Sequence, residues 1–364
     1  MNSSPAKTRS RVTVVTVAAA AIFLGAGGLS GQLINDYGGA RGTIEWVLRT
    51  LVVLAAATLI VGGLTLVLRT RRLLRSRLLG WLVATVAFVA TVWFAALPIG
   101  FGVYLTHLPS RRAVHDVKIG ISKHDVTITG ADGVRLSGWY VPSRNGAVVV
   151  ALHGTGSNRL GVERQARLLA RHGYGVLALD LRGHGDSRGR STSAPWTMNA
   201  DIGAAIRWVQ GRADVDRNKV ALLGVSMGAE VAIRAAASEK TVRAVVAEGL
   251  NGGAADAKAA GQPWLAVAQL AVLGATTSLL TGQGPGSDSE YLERIRPRPV
   301  LLISSGTDSE ADANQVFLHR AGRGARLWNL PNASHASAIR TNPAGYESHV
   351  ISFLDRVLRE RDPR

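Results

Sequence analysis

The chain contains no cysteine in 364 residues, which excludes a disulfide framework, a thiolate metal site and a cysteine nucleophile. It is also poor in acid: 25 Asp and Glu stand against 42 Lys and Arg, a formal charge of +17. H-E-x-x-H, P-loop and G-x-G-x-x-G patterns are all missing, so no metal, nucleotide or flavin is expected. Neither basic-aromatic interleaving nor zinc spacing is present, and the positive charge is therefore not read as a nucleic-acid face. Much of it lies beside apolar runs instead, in Lys7, Arg9 and Arg11, in Arg69, Arg71, Arg72, Arg75 and Arg77, and in Arg111 and Arg112. Charge placed there orients membrane segments and meets anionic headgroups.

Three apolar runs occupy the first third of the chain, at 12–29, 46–68 and 78–105. The second and third exceed the roughly 20 residues needed to cross a bilayer. The first, behind a basic start, reads either as a signal sequence or as a further membrane helix. The loop 69–77 carries five arginines and no acid, which assigns it to the cytoplasm. The second run then points inward and the third outward. Either reading of the first run leaves the chain after residue 105 outside the cytoplasm, although Arg111 and Arg112 oppose this. The expectation is a multi-pass cell-membrane protein with a membrane region over 1–108, a linker over 109–125 and an extracytoplasmic domain over 126–364.

From residue 126 the texture becomes that of a soluble α/β domain. Residues 126–129 and 134–141 flank Ala131-Asp132-Gly133 and predict a hairpin. Short apolar runs follow at 147–152, 176–179, 220–223, 242–247, 300–304 and 326–330, separated by helical stretches. Such runs are how buried parallel strands look. Their alternation with helices predicts a mostly parallel, doubly wound sheet. Residues 264–280 are apolar enough for another membrane span, but Gln269 and Thr276-Thr277-Ser278 dilute them. We read 250–296 as a helical cap inserted between strands, with lipid contact as a further expectation.

The pattern G-x-S-x-G occurs twice, around Ser226 and around Ser187. The chemistry needs a serine on a sharp turn from a strand into a helix, where the positive helix end faces it. Ser226 follows the strand 220–223 and precedes the helical run 229–236, whereas Ser187 precedes a loop ending in Pro195. Context therefore favours Ser226.

This run resembles the nucleophile elbow of the α/β-hydrolase superfamily. Two further segments agree in order: His153-Gly154-Thr155-Gly156 resembles the oxyanion loop, and Asp180-Leu181-Arg182-Gly183-His184-Gly185-Asp186-Ser187 resembles the D-x-R-G-x-G-x-S loop. The resemblance spans about 126–358 and is greatest to esterase-like, prolyl-oligopeptidase-like and serine-aminopeptidase-like members. It implies an α/β-hydrolase fold and a serine hydrolase cleaving ester, thioester or amide bonds through an acyl-enzyme, with no cofactor. Its substrate would be an acyl ester, a lipid or a small peptide. A catalytically silent binding domain and an acyltransferase are the competing readings.

Serine needs a base, and the base an orienting acid, in the order Ser, Asp or Glu, His. Of the histidines after the last strands, His319 and His349 fall in predicted helices, while His335 sits in a loop of small residues. His335 is thus the expected base. In the resemblance, counting from Pro299 puts Asp308 at the position of the acid, although the turn glycine, Gly306, is displaced by one place. Glu310 and Asp312 are nearby rivals, and Glu248 at the end of its strand is another. The backbone N–H groups of Met227 and Thr155 are the expected oxyanion donors. Asp180, Arg182, His184 and His153 are expected to hold loops, and Glu230 to benefit from the first turn of its helix.

Overall fold

The computed structural model describes residue 86 and residues 89–107, 120–190, 192, 194–305 and 308–358. The apolar runs 12–29 and 46–68, the arginine loop 69–77 and most of the linker 109–125 lie outside them. The chain divides into one unit through Val103 and a second from Tyr104 onward. The described part of the third run is helical over Val89–Thr106, with a mean hydropathy of 1.6. It passes through a π-helical turn at Val92–Ala96 and then an α-helix, α1, at Leu97–Thr106. Its length and composition are sufficient for a membrane span.

The second unit is built on eight strands. These are β1 (His124–Thr129), β2 (Arg135–Val141), β3 (Val148–Leu152), β4 (Gly175–Leu179), β5 (Val220–Val225), β6 (Val242–Glu248), β7 (Val300–Ser305) and β8 (Ala325–Leu330). They form one sheet in the order β1-β2-β4-β3-β5-β6-β7-β8. β1 and β2 pair antiparallel, as does β2 with β4, and every later pair is parallel. The hairpin turn passes through Asp132 in a left-handed conformation (φ 55°), which a short polar side chain tolerates.

The parallel strands read as continuous apolar runs because both faces of the sheet are covered. Along β3, Val148, Val150 and Leu152 enter one hydrophobic core while Val149 and Ala151 enter the other. Along β5, Val220 and Leu222 likewise alternate with Ala221, Leu223 and Val225. The two-residue period of a strand thus supplies two cores from one sequence. One core is closed by α3 (Asn199–Gln210), α4 (Met227–Ser238) and α8 (Asp308–Ala321), and the other by α2 (Glu163–Arg171) and α10 (Pro343–Leu358). In α4 the alanines 229, 232, 235 and 236 are fully buried, and their small side chains let the helix lie close on the sheet. Arg298 donates to the carbonyls of Ala236, Glu239 and Val242, satisfying acceptors at the open end of that helix.

Between β6 and β7 the chain forms three helices, α5 (Ala254–Ala259), α6 (Trp264–Thr281) and α7 (Asp288–Ile295). This is the helical insertion expected over 250–296. Its anchor is electrostatic. Asp256 accepts the Ser287 hydroxyl at 2.6 Å and the N–H groups of Asp288 and Ser289 at 3.0 and 3.1 Å. Arg234 of α4 is buried; it donates to Asp288 at 2.7 Å and to the Pro285 carbonyl, and lies over the Tyr291 ring. Glu230 stands in the first turn of α4, where burial, together with the charge of Asp288, raises its carboxyl pKa.

Removing one partner of a buried ion pair leaves an uncompensated charge. Arg234→Ala is therefore expected to destabilise the domain by about 3–5 kcal/mol in chemical denaturation. A double variant, Arg234→Met with Asp288→Leu, should recover most of that loss; equal destabilisation by both variants would show that the pair does not anchor the insertion.

Candidate active site

β5 ends at Val225 and α4 begins at Met227, so Ser226 alone makes the turn. Its backbone is left-handed, at φ 54° and ψ −123°, a conformation that costs about 1–3 kcal/mol for a residue other than glycine. The neighbouring chain makes no other path available. A methyl group on Gly224 would fall 2.0 Å from the Gly228 carbonyl oxygen, and one on Gly228 would fall 2.3 Å from that of Leu152. The two glycines of the motif thus allow strand, turn and helix to cross at contact distance. The Ser226 N–H donates to the Glu248 carbonyl at 2.7 Å, tying the turn to the end of β6.

His335 sits in the loop between β8 and the short helix α9 (Ala338–Thr341). Its Nε2 lies 3.0 Å from Ser226 Oγ, and its Nδ1 lies 2.7 Å from Glu310 Oε2. The ring is partly open, at 41% side-chain exposure, while the Glu310 side chain is 1% exposed. Glu310 Oε1 accepts the Ser305 N–H at 2.6 Å, and Ser305 Oγ accepts the Ala336 N–H at 3.0 Å. One residue at the end of β7 therefore orients both the carboxylate and the loop that carries the imidazole. The hydrogen bond that His335 donates to Glu310 raises its pKa above the usual imidazole value, against the effect of burial, with Glu248 adding a smaller push.

The carboxylate on His335 belongs to Glu310, whereas the motif spacing favours Asp308. The difference arises from the start of α8. The helix begins at Asp308, so the acid comes from its first turn rather than from a loop. The displaced Gly306 lies outside the described residues. Glu248 is engaged elsewhere: its Oε1 accepts the Ala338 N–H at 2.9 Å, and burial raises its pKa. Asp312 accepts instead from Gln262, at 3.3 Å. His319 lies in the last turn of α8, and His349 stacks on Trp328 at 4.3 Å, so neither is the histidine bonded to Ser226.

The loop after β3 comes up against the serine. A methyl group on Gly154 would lie 3.2 Å from Ser226 Cβ. Thr155 follows in the same loop, and Met227 is the first residue of α4. Fully buried His153 holds this loop. Its Nε2 lies 3.1 Å from the Leu181 N–H and its Nδ1 2.8 Å from the Gly154 carbonyl, a pairing that fits a neutral ring protonated on Nδ1. Burial and the nearby His184 push its pKa down to about 3, in accord with that neutral state.

The second G-x-S-x-G is structural. Ser187 Oγ donates to the Asp180 carbonyl at 2.6 Å and accepts the Ser137 N–H at 2.8 Å. Asp180 is buried against Arg159, with 2.6 Å to its N–H and 2.8 Å to its guanidinium. Arg182 grips Asp201 with two bonds of 2.6 and 2.7 Å.

Two contributors escaped the sequence reading. Ser305 carried no motif signal. Gly249 did carry one, being a glycine directly after a strand: it is left-handed at φ 72°, and a methyl group there would lie 2.9 Å from His335 Cε1. Among the described residues, no cluster of His, Asp and Glu is arranged to hold a metal ion.

Comparison with known proteins bears on the fold. Residues 143–287 match the family model described as serine aminopeptidase, S33. An uncharacterised protein of Mycobacterium tuberculosis is 31% identical over 221 residues, covering 58% of this chain and 72% of its own length. An uncharacterised Escherichia coli K12 protein is 25% identical, covering 66% and 84%. Bovine protein phosphatase methylesterase 1 is 32% identical over 123 residues, or 32% of this chain and 31% of its own. Among solved structures, an esterase of Pyrococcus furiosus superposes with a TM-score of 0.57 at 28% identity, covering 68% of this chain and 97% of its own. The strand order, the strained serine turn and these relatives lead to one conclusion: the chain belongs to the α/β-hydrolase superfamily.

Proposed function

We propose that the protein is a membrane-tethered serine hydrolase that cleaves acyl esters through an acyl-enzyme on Ser226. The observation that carries this reading is the continuous hydrogen-bonded chain from Ser226 Oγ through His335 to Glu310, set on the strained turn. In it Ser226 attacks the carbonyl carbon while His335 Nε2 takes the hydroxyl proton. Glu310 holds the ring in the tautomer that leaves Nε2 free to accept, and stabilises the imidazolium that forms. The backbone N–H groups of Met227 and Thr155 stabilise the oxyanion. His335 then returns the proton to the leaving alcohol, and water repeats the sequence in reverse to release the acid. Ester cleavage is preferred over peptide cleavage because the Pyrococcus furiosus neighbour and the bovine relative are both named as esterases.

The tether reading rests on the apolar helix Val89–Thr106 and on the arginine-rich loop before it. The distribution of arginine directs that loop inward and the α/β domain to the outer side of the cell membrane. A reporter fused after Arg364 should be active outside the cytoplasm, and signal from the cytoplasm would reverse the topology.

A fluorophosphonate probe is expected to label the wild-type chain but not Ser226→Ala. The same substitution should lower kcat by about a million-fold. Turnover retained in a clean Ser226→Ala preparation would sink the assignment. The pH profile tests the acid. His335 must be neutral to accept a proton, so kcat/KM should fall as pH drops through its raised pKa. Glu310→Gln removes the carboxylate whose charged hydrogen bond raises that value and is expected to move the acid limb to lower pH, with kcat reduced about ten-thousand-fold. Asp308→Asn should leave the limb in place. The opposite pattern would return the acid to Asp308.

A further inference from the structure

Helix α6 does not look like the cover of a water-facing cap. Its 18 residues, Trp264–Thr281, contain no charged side chain and have a mean hydropathy of 1.5. A helix of that kind inside a soluble domain is ordinarily buried, yet here Trp264, Leu265 and Leu279 are 74%, 39% and 58% exposed. Ala271 and Ala275 are exposed as well, and with Leu279 they recur every four residues, continuing the face that begins at Trp264. The polar groups make few demands on water. Of the partly exposed hydroxyls, Ser278 and Thr281 each donate to a carbonyl one turn back in the same helix, as the buried Thr276 and Thr277 do on the domain side. Internal satisfaction of this kind is what a hydrocarbon environment requires.

The position of α6 in the fold says what covers this face. The loop 190–196 makes two attachments. At one end Arg190 donates to the Thr106 carbonyl at 3.2 Å and to His107 Nε2 at 2.7 Å, where the apolar helix ends. At the other end Trp196 Nε1 donates to Thr281 Oγ1 at 3.1 Å, the last residue of α6. Six residues of chain span at most about 20 Å. The end of α6 is therefore tied, through that segment, to Thr106 and His107 of the same unit. Exposed Arg188 of the adjoining loop, with Arg111 and Arg112 in the sequence after that exit, provides charge suited to anionic headgroups.

We infer that α6 lies in the plane of the bilayer that holds the protein, with its Trp264–Leu279 face sunk roughly 5–10 Å into the boundary between headgroups and acyl chains. This rests on the tether reading above and deepens it: the helix that departs from the serine's edge of the sheet would be immersed in lipid.

The absence of cysteine makes the test direct. Ala275→Cys and Leu279→Cys, with Arg217→Cys at the opposite edge of the sheet as control, are labelled with an environment-sensitive fluorophore. Each full-length chain is reconstituted in phosphatidylcholine–phosphatidylglycerol vesicles carrying a nitroxide on the acyl chain. Thermal unfolding matching that of the parent establishes that each variant is folded. Quenching at 275 and 279 is expected to exceed that at 217 several-fold. Equal quenching at all three positions overturns the inference. So does cross-linking between two copies of the Leu279→Cys variant in the absence of quenching, which would assign the face to a second copy. Retention of the chain by vesicles after an alkaline wash is scored in the same samples. If the chain washes off, the tether reading itself falls; if it is retained while 279 stays unquenched, only the placement of α6 falls.

Discussion

The site depends on a backbone that a serine would not adopt in isolation. A left-handed φ at Ser226 is unfavourable, and it persists because the surroundings leave no alternative. Gly224 and Gly228 bring β5, the turn and α4 into contact, the Glu248 carbonyl holds the Ser226 N–H, and the alanines of α4 press the helix onto the sheet. Burial of two apolar faces along β3 and β5 supplies the rigidity against which the strain is maintained. Relaxation of the turn would withdraw the hydroxyl from His335 and turn the first N–H of α4 away from the place where negative charge would develop.

Around this turn the charged groups divide into those held against backbone and those held against each other. Glu310 and Glu248 both take backbone N–H groups, from Ser305 and Ala338, and these bonds fix the carboxylates on either side of the imidazole loop. Only Glu310 has an oxygen on the ring. Arg234, Asp288 and Asp256 form a separate, buried network that secures the α5–α7 insertion to α4. The helix that follows Ser226 is thus also the one to which the insertion is fastened, at Arg234, about two turns from the serine.

Much of the fold was legible in the sequence because its signals are local. Parallel strands covered on both faces appear as short apolar runs, and the runs found by pattern match the observed strands to within about two residues, the usual uncertainty at element ends. The serine was legible for the same reason, since the elbow demands small residues at fixed spacing between a strand and a helix. So was the subordinate place of Ser187, whose context is a loop; the structure adds its two bonds to β2 and to the end of β4.

What the sequence by itself determined, then, is every described feature encoded within about ten consecutive residues: strands, the serine turn and the histidine loop. Tertiary structure decided the rest, because it depends on groups brought together from distant parts of the chain. The choice of Glu310 over Asp308 turns on where α8 starts and on the N–H of Ser305 at the end of a neighbouring strand. The need for Gly249 appears only once an imidazole 86 residues later packs on it. The raised pKa of Glu230 comes from loss of water and from Asp288, 58 positions away, neither of which is written in the helix where it stands. Spacing along a chain fixes the phase of an element, whereas the electrostatics of a site are fixed by which elements meet.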